Sequence, residues 1–289
     1  MSKECRVERQ ATALPQTHID RRLFLQGSLG LLALAACEVS SDPASDFETA
    51  PAPLAWDPAG NAFELGPHRL SKLGAWSFGA FGVEAHQLNG PCAVAATAQR
   101  VYIADRGNHR VTVLDAATGK LLGHIGASAE PGASLLGPRD VLVDAAAQRL
   151  WVADTLHNRV QAYDLDGRHL GSFGGLTEDA QRVNAPVALA LDAQRHLHVL
   201  DRAERRVQVF DAQGRHVRAY GSPQWLAPSS LALDLQGRAY VADPVDRAVH
   251  LFDAQGAFVR RVVPATNGAS PRKVFLDPTG KPYLYATQT

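Results

Sequence analysis

A proline followed by a short apolar run and an aspartate recurs along the chain, and this repeat limits the fold more than any other feature. Pro138-Arg-Asp-Val-Leu-Val-Asp144, Pro186-Val-Ala-Leu-Ala-Leu-Asp192, Pro228-Ser-Ser-Leu-Ala-Leu-Asp234 and Pro271-Arg-Lys-Val-Phe-Leu-Asp277 are copies, and Pro91-Cys-Ala-Val-Ala-Ala-Thr97 is an imperfect one. Their prolines lie 47, 48, 42 and 43 residues apart. Inside each copy a second landmark aligns: Tyr102-Ile-Ala-Asp105, Trp151-Val-Ala-Asp154, His198-Val-Leu-Asp201 and Tyr240-Val-Ala-Asp243. Ten residues on stand Asp115, Asp164, Asp211 and Asp253, each followed by a glycine (Gly119, Gly167, Gly214, Gly256) that permits the positive φ of a tight turn.

Each copy therefore predicts four short strands. The first is a continuous apolar run, as a strand covered on both faces should be, and the third alternates, as in Val207-Gln-Val-Phe210. A four-stranded unit at this period predicts an all-β chain folded as a β-propeller, because one such unit cannot bury its faces alone and its neighbours must cover them. Four repeats are complete, and the last stops after two strands, near Val274-Phe-Leu276 and Tyr283-Leu-Tyr285. Phe63-Glu-Leu65 and Leu73 to Gly79 read as the missing third and fourth strands, which gives five blades with one stitched from both termini. The rival count is six, since Leu54-Ala-Trp-Asp57-Pro-Ala-Gly60 resembles Leu231-Ala-Leu-Asp234-Leu-Gln-Gly237 and could open a blade of its own.

The segment Asp105-Arg-Gly-Asn108-His109-Arg110-Val111 resembles the core of NHL repeats, and Asp154-Thr-Leu-His157-Asn158-Arg159-Val160 is a variant with Asn and His exchanged. Asp201 to Val207 keeps the Asp and Arg206, whereas the Asp243 copy has Ala248 where Arg is expected. The likeness covers residues 54–289 and is strongest in two repeats. It implies a propeller whose usual blade number is six, and it admits enzymes, since some NHL-type propellers are lyases or hydrolases with a metal in the central channel.

The first 37 residues read as an address rather than fold. Arg21 and Arg22 precede Leu23-Phe24-Leu25, an apolar run from Leu29 to Ala36 follows, and Cys37 ends it. Asp20 to Gln26 resembles a twin-arginine export signal, and Leu34-Ala-Ala-Cys37 resembles a lipobox, in which the cysteine thiol is acylated and becomes the N-terminus. Two or more acyl chains make such an anchor stable. The expected location is the bacterial cell envelope, facing the periplasm, with Glu38 rather than Asp after the cysteine leaning towards the outer membrane. Residues 38–53 are rich in Ser, Asp, Ala and Pro and read as a flexible tether, with a span of roughly 20–25 Å.

The formal charge is zero for the whole chain and −2 after residue 37, so nothing global points to nucleic acid. After processing only Cys92 keeps a free thiol, which rules out an intrachain disulfide, and a small buried apolar role is expected for it. The pairs Asp105/Arg110, Asp154/Arg159 and Asp201/Arg206 sit five apart across a turn and read as structural ion pairs, since a catalytic group normally occurs once rather than in every repeat. The loops between second and third strands share one face and carry Arg106, Asn108, His109, His157, Asn158, Arg202, Arg205 and Arg247, a rim more basic than the chain as a whole and suited to an anionic ligand or an acidic partner. The innermost runs offer no histidine, and His196 and His198, two apart on one strand, read as surface residues, so no metal site and no cofactor are expected. No catalytic residue is assigned, and no nucleophile elbow, Walker loop or HExxH motif is present. The leading expectation is a monomeric, membrane-tethered, noncatalytic module that binds an envelope protein, peptide or glycan. The rival is a propeller lyase or lactone hydrolase with a channel metal.

Overall fold

A computed structural model describes residues 48–50, 54–127, 132–176, 182–264 and 268–287. The export signal with Arg21, Arg22, Phe24 and Leu25, the Cys37 lipidation site and most of the tether lie outside the described residues.

The described chain is all-β, with two single 3₁₀ turns. Strand β1 (Glu48–Ala50) comes first. Four-stranded blades then follow in chain order: β2 to β5 (Leu54–Trp56, Ala62–Leu65, Leu70–Lys72, Trp76–Phe78), β6 to β9 (Pro91–Ala96, Arg100–Asp105, Arg110–Asp115, Leu121–Ile125) and β10 to β13 (Asp140–Asp144, Arg149–Asp154, Arg159–Asp164, His169–Gly174). Two more are β14 to β17 (Pro186–Leu191, Leu197–Asp201, Arg206–Phe210, His216–Gly221) and β18 to β21 (Ser230–Leu233, Ala239–Asp243, Ala248–Phe252, Phe258–Val262). Strands β22 (Ser270–Leu276) and β23 (Pro282–Thr287) complete the chain.

Each blade is an antiparallel meander. Its first strand lies next to the first strand of the neighbouring blade, so β2, β6, β10, β14, β18 and β22 surround a central channel. The core lies between blades rather than within them. Val111, Ile125 and Tyr102 of one blade, for example, pack with Val141, Leu150 and Tyr163 of the next.

The ring thus has five four-stranded blades, and a three-stranded sheet made from both chain ends closes it. In that sheet the order is β1-β23-β22, and β1 runs parallel to β23 with Glu48 opposite Tyr283 and Ala50 opposite Tyr285. The stitching differs from the sequence expectation. Phe63–Leu65 and the stretch around Trp76–Phe78 belong to a complete blade of their own, because Leu54–Trp56 folds back on them through the turn at Asp57. There Asp57 Oδ1 accepts the N–H groups of Ala59 (3.0 Å) and Asn61 (2.8 Å), and Gly60 takes φ +80°. The N-terminal share of the seam is instead Glu48–Ala50, inside the stretch expected to be wholly a tether. The outer edge of β23 would otherwise leave backbone groups unpaired, and three residues of almost any composition can satisfy them. Trp56 closes the seam on its other side, 5.8 Å from the Phe275 ring and 6.4 Å from that of Tyr283.

Candidate functional site

The repeated aspartates come first because they position everything on the loop face. Asp105, Asp154, Asp201 and Asp243 end the second strands of their blades and are fully buried. Each accepts a backbone N–H from the segment entering its blade: Asn89 (2.7 Å), Leu136 (2.7 Å), Asn184 (3.0 Å) and Leu226 (2.6 Å), respectively. The arginine five residues on completes the knot. Arg110 Nε lies 3.0 Å from Asp105 and its other end donates to the carbonyls of Glu84 and Gln87. Arg159 Nε lies 2.9 Å from Asp154 and its other end donates to the carbonyl of Ser134. The third copy is looser, with Arg206 Nε 3.6 Å from Asp201, and Gln208 hydrogen-bonds that carboxylate instead. Where Ala248 replaces the arginine, Asp243 takes four backbone N–H groups, from Leu226, Ala227, Val245 and Asp246. These pairs fasten a hairpin to the incoming loop.

Half of the predicted rim is engaged in the same way. Asn108 Nδ2 donates to Asp105 (2.8 Å) and to Gly82 O (3.0 Å). His157 Nδ1 lies 2.9 Å from Asp154. His109 and Asn158 hold left-handed turn positions, φ 55° and 57°, and accept the N–H groups of Gly137 and Ala185 across the blade boundary. Arg205 and Arg247 occupy the equivalent left-handed positions, φ 52° and 55°, with exposed side chains. Arg247 is not among the residues that line the channel mouth.

Arg106, Arg202 and Arg205 do converge there. Together with Arg139 they line a cavity of about 430 Å³, whose walls include Leu156, Val187 and Leu226. A second cavity of about 350 Å³ shares Arg139, Val187 and Arg202 and continues past Cys92, Asp140, Arg272 and Lys273. Beyond them the channel is bounded by Val94, Val143, Leu189, Leu233 and Phe275, with Asp140 and Lys273 also on its wall. Among the described residues no carboxylate pairs with Arg106, Arg139 or Arg202. Burial, and then the like charges of Arg106 and Arg202, pull the Arg139 guanidinium below its ordinary pKa. Asp140 is pushed up by burial, with Lys273 opposing, and accepts Leu189 N–H at 2.7 Å. Burial likewise pushes the Cys92 thiol up to about 12, and its Sγ donates to Arg139 O at 3.2 Å, so it is a protonated packing group at neutral pH.

Arg139, Asp140, Arg272 and Lys273 lie before the apolar centres of the innermost runs, where channel groups are expected from the sequence. The signal was present: the residue after the repeat's proline is Cys92, Arg139, Val187, Ser229 and Arg272 in turn, and all five line the upper channel. Among the described residues no three His, Cys, Asp or Glu side chains come together as metal ligands.

His198 is not the surface residue expected. Its side chain is 3% exposed, its Nδ1 lies 2.9 Å from Tyr220 Oη, and it shares Asp192 with the more exposed His196. Burial lowers its pKa from 6.5 to about 4, against the pull of Asp192. A ring that stays neutral when folded stabilises the protein fully above pH 6.5, and that contribution is lost as pH falls from 6.5 towards 4. The shift corresponds to roughly 3 kcal/mol. Urea denaturation at pH 7.5 and 4.5 should therefore show a smaller acid loss of stability in His198→Gln than in the parent; equal losses would place the acid sensitivity elsewhere.

Comparisons with family models and with curated proteins found no match to this chain. Solved structures do share its fold. A streptogramin B lyase superposes with a TM-score of 0.63 at 13% identity, over 81% of this chain and 75% of that one. The WD40 β-propeller domain of Doa1 gives 0.61 at 13% identity, over 81% and 74%. A catalytically inactive virginiamycin B lyase from Staphylococcus aureus with quinupristin gives 0.59 at 10% identity, over 80% and 75%. At these identities the likeness is one of fold, which lyases and a WD40 domain share.

Proposed function

We propose that this chain is an NHL-type propeller anchored at the bacterial cell envelope through Cys37, and that it binds a partner protein, peptide or glycan with the loop face around its channel mouth. The observation that carries the reading is the convergence of Arg106, Arg139 and Arg202 on one cavity with no carboxylate to neutralise them among the described residues. Asn108, His109, His157 and Asn158 on that face are engaged in loop hydrogen bonds, whereas Arg205 and Arg247 are exposed. Uncompensated guanidinium groups at a concave mouth favour an anionic complement both through field and through directed hydrogen bonds. The order Arg21-Arg22, apolar run, Cys37 supports export and acylation.

Both halves are testable in cells. A photo-crosslinking side chain at Ala203, beside the mouth, should capture a partner, whereas one at Gln213, in the turn at the other end of its blade, should not. Equal labelling from both positions argues against a loop-face binder. Cys37→Ala should move the protein from the membrane to the soluble fraction and abolish acyl labelling. A variant that stays membrane-bound is anchored by something other than that cysteine.

A further inference from the structure

Resting on the binding reading above, we infer that the channel mouth receives an acidic peptide segment: carboxylate side chains on Arg106, Arg139 and Arg202, with an apolar side chain between Leu156 and Leu226.

Three features select this class. Guanidinium groups pair with carboxylates through two parallel hydrogen bonds, and four of them around one cavity, Arg205 included, call for more than a single negative charge. The cavity, about 430 Å³, has the size of a site for an organic ligand rather than a lone oxyanion. Its walls are also partly apolar: Leu156 and Leu226 line it while 56% and 51% exposed. Arginine is enriched at protein-binding surfaces, and the exposed Leu156 and Leu226 beside it offer apolar area for a partner side chain to cover. Deeper in the channel, Asp140 and Lys273 interact and offset each other, which leaves the excess positive charge at the mouth. A peptide supplies both demands on one chain, with carboxylates and an apolar side chain a few ångströms apart.

The test is fluorescence anisotropy on the full processed chain in detergent, with a labelled peptide ELEELE, its neutral analogue QLQQLQ, and inorganic phosphate as competitor. The acidic peptide should bind and the neutral one should not, and binding should weaken as salt rises. Arg139→Gln or Arg202→Gln should each weaken binding about tenfold, the loss of one charged hydrogen-bonded contact. Arg106→Gln does the same from an exposed position where folding is not at stake, and Arg168→Gln, on the turns at the far end of its blade, should change binding less than about twofold. Equal binding of both peptides, or indifference to all three mouth variants, overturns the inference. Displacement of the peptide by an equal concentration of phosphate also overturns it, since the mouth would then be a small-anion site. If the peptide fails while Ala203 still crosslinks a partner, the binding module stands and only this ligand class is wrong.

Discussion

Ending the chain after Leu276 should abolish cooperative folding. The truncation removes β23, which is paired with β22 on one side and β1 on the other. Leu284 is fully buried among Ala232, Tyr240, Val249 and Leu251 of the preceding blade, so its loss opens a core shared by two blades. Tyr283 stacks on Phe275 at 6.0 Å and borders Trp56, which belongs to the first blade. Burial of each of these side chains contributes about 1.5–3 kcal/mol, and the ring pairs add about 0.5–1.5. With the hydrogen-bonded ladder to β1 and β22 gone as well, the loss reaches the scale of a domain's whole stability, about 5–15 kcal/mol. Thermal melts followed by circular dichroism should show no sharp transition, and limited proteolysis should degrade the truncated chain. A melt within a few degrees of the full chain would mean that the ring holds without its seam.

Asp154→Asn should cost roughly 3 kcal/mol, at the lower end of what removing one partner of a buried ion pair costs, because Arg159 keeps a fifth of its side chain in solvent. The carboxylate holds Leu136 N–H, His157, Arg159 and Gln161 at once, and an amide can accept at only one of its two ends. The melting temperature should fall by about 10 °C. A double-mutant cycle with Arg159→Met separates the pair from the rest: the arginine substitution should cost less when combined with Asp154→Asn than alone. Additive effects would show that the aspartate works through the backbone N–H and not through the guanidinium.

Much of the fold was legible because the blade is a local object. The spacing of Pro138 to Asp144, Trp151 to Asp154 and Arg159 to Asp164 is realised in β10, β11 and β12, with the hairpin register pairing Asp154 with Arg159. Side-chain alternation and turn glycines act over a few residues, so the sequence carries them openly. The seam was not legible in the same way. Glu48–Ala50 has no periodicity to mark it as a strand, and it pairs because β23 presents an open edge to it.

The site divides along the same line. The chain itself announced that the second-to-third strand loops bear Arg106, Arg202 and Arg205, and that Asp105, Asp154 and Asp201 have arginine partners. It did not announce that His109 and Asn158 are consumed by loop hydrogen bonds, because their partners, Gly137 and Ala185, enter from other parts of the chain, nor that Asn108 and His157 turn back onto Asp105 and Asp154 three residues before them.

The sequence by itself determined the blade: its four strands, its turns and the buried aspartate that fastens each hairpin, all set by backbone geometry and alternation within one repeat. Only the tertiary structure decided which blade-forming residues face one another across the axis. Arg106, Arg139, Arg202 and Arg272 come from four different blades or sheets: Arg139 and Arg272 stand at the starts of innermost strands, Arg106 and Arg202 on the loops after second strands, and ring closure places both sets along two cavities that share Arg139 and Arg202. Positive charge accumulates at that mouth because ring closure gathers these cations from separate blades and, among the described residues, no carboxylate pairs with Arg106, Arg139 or Arg202.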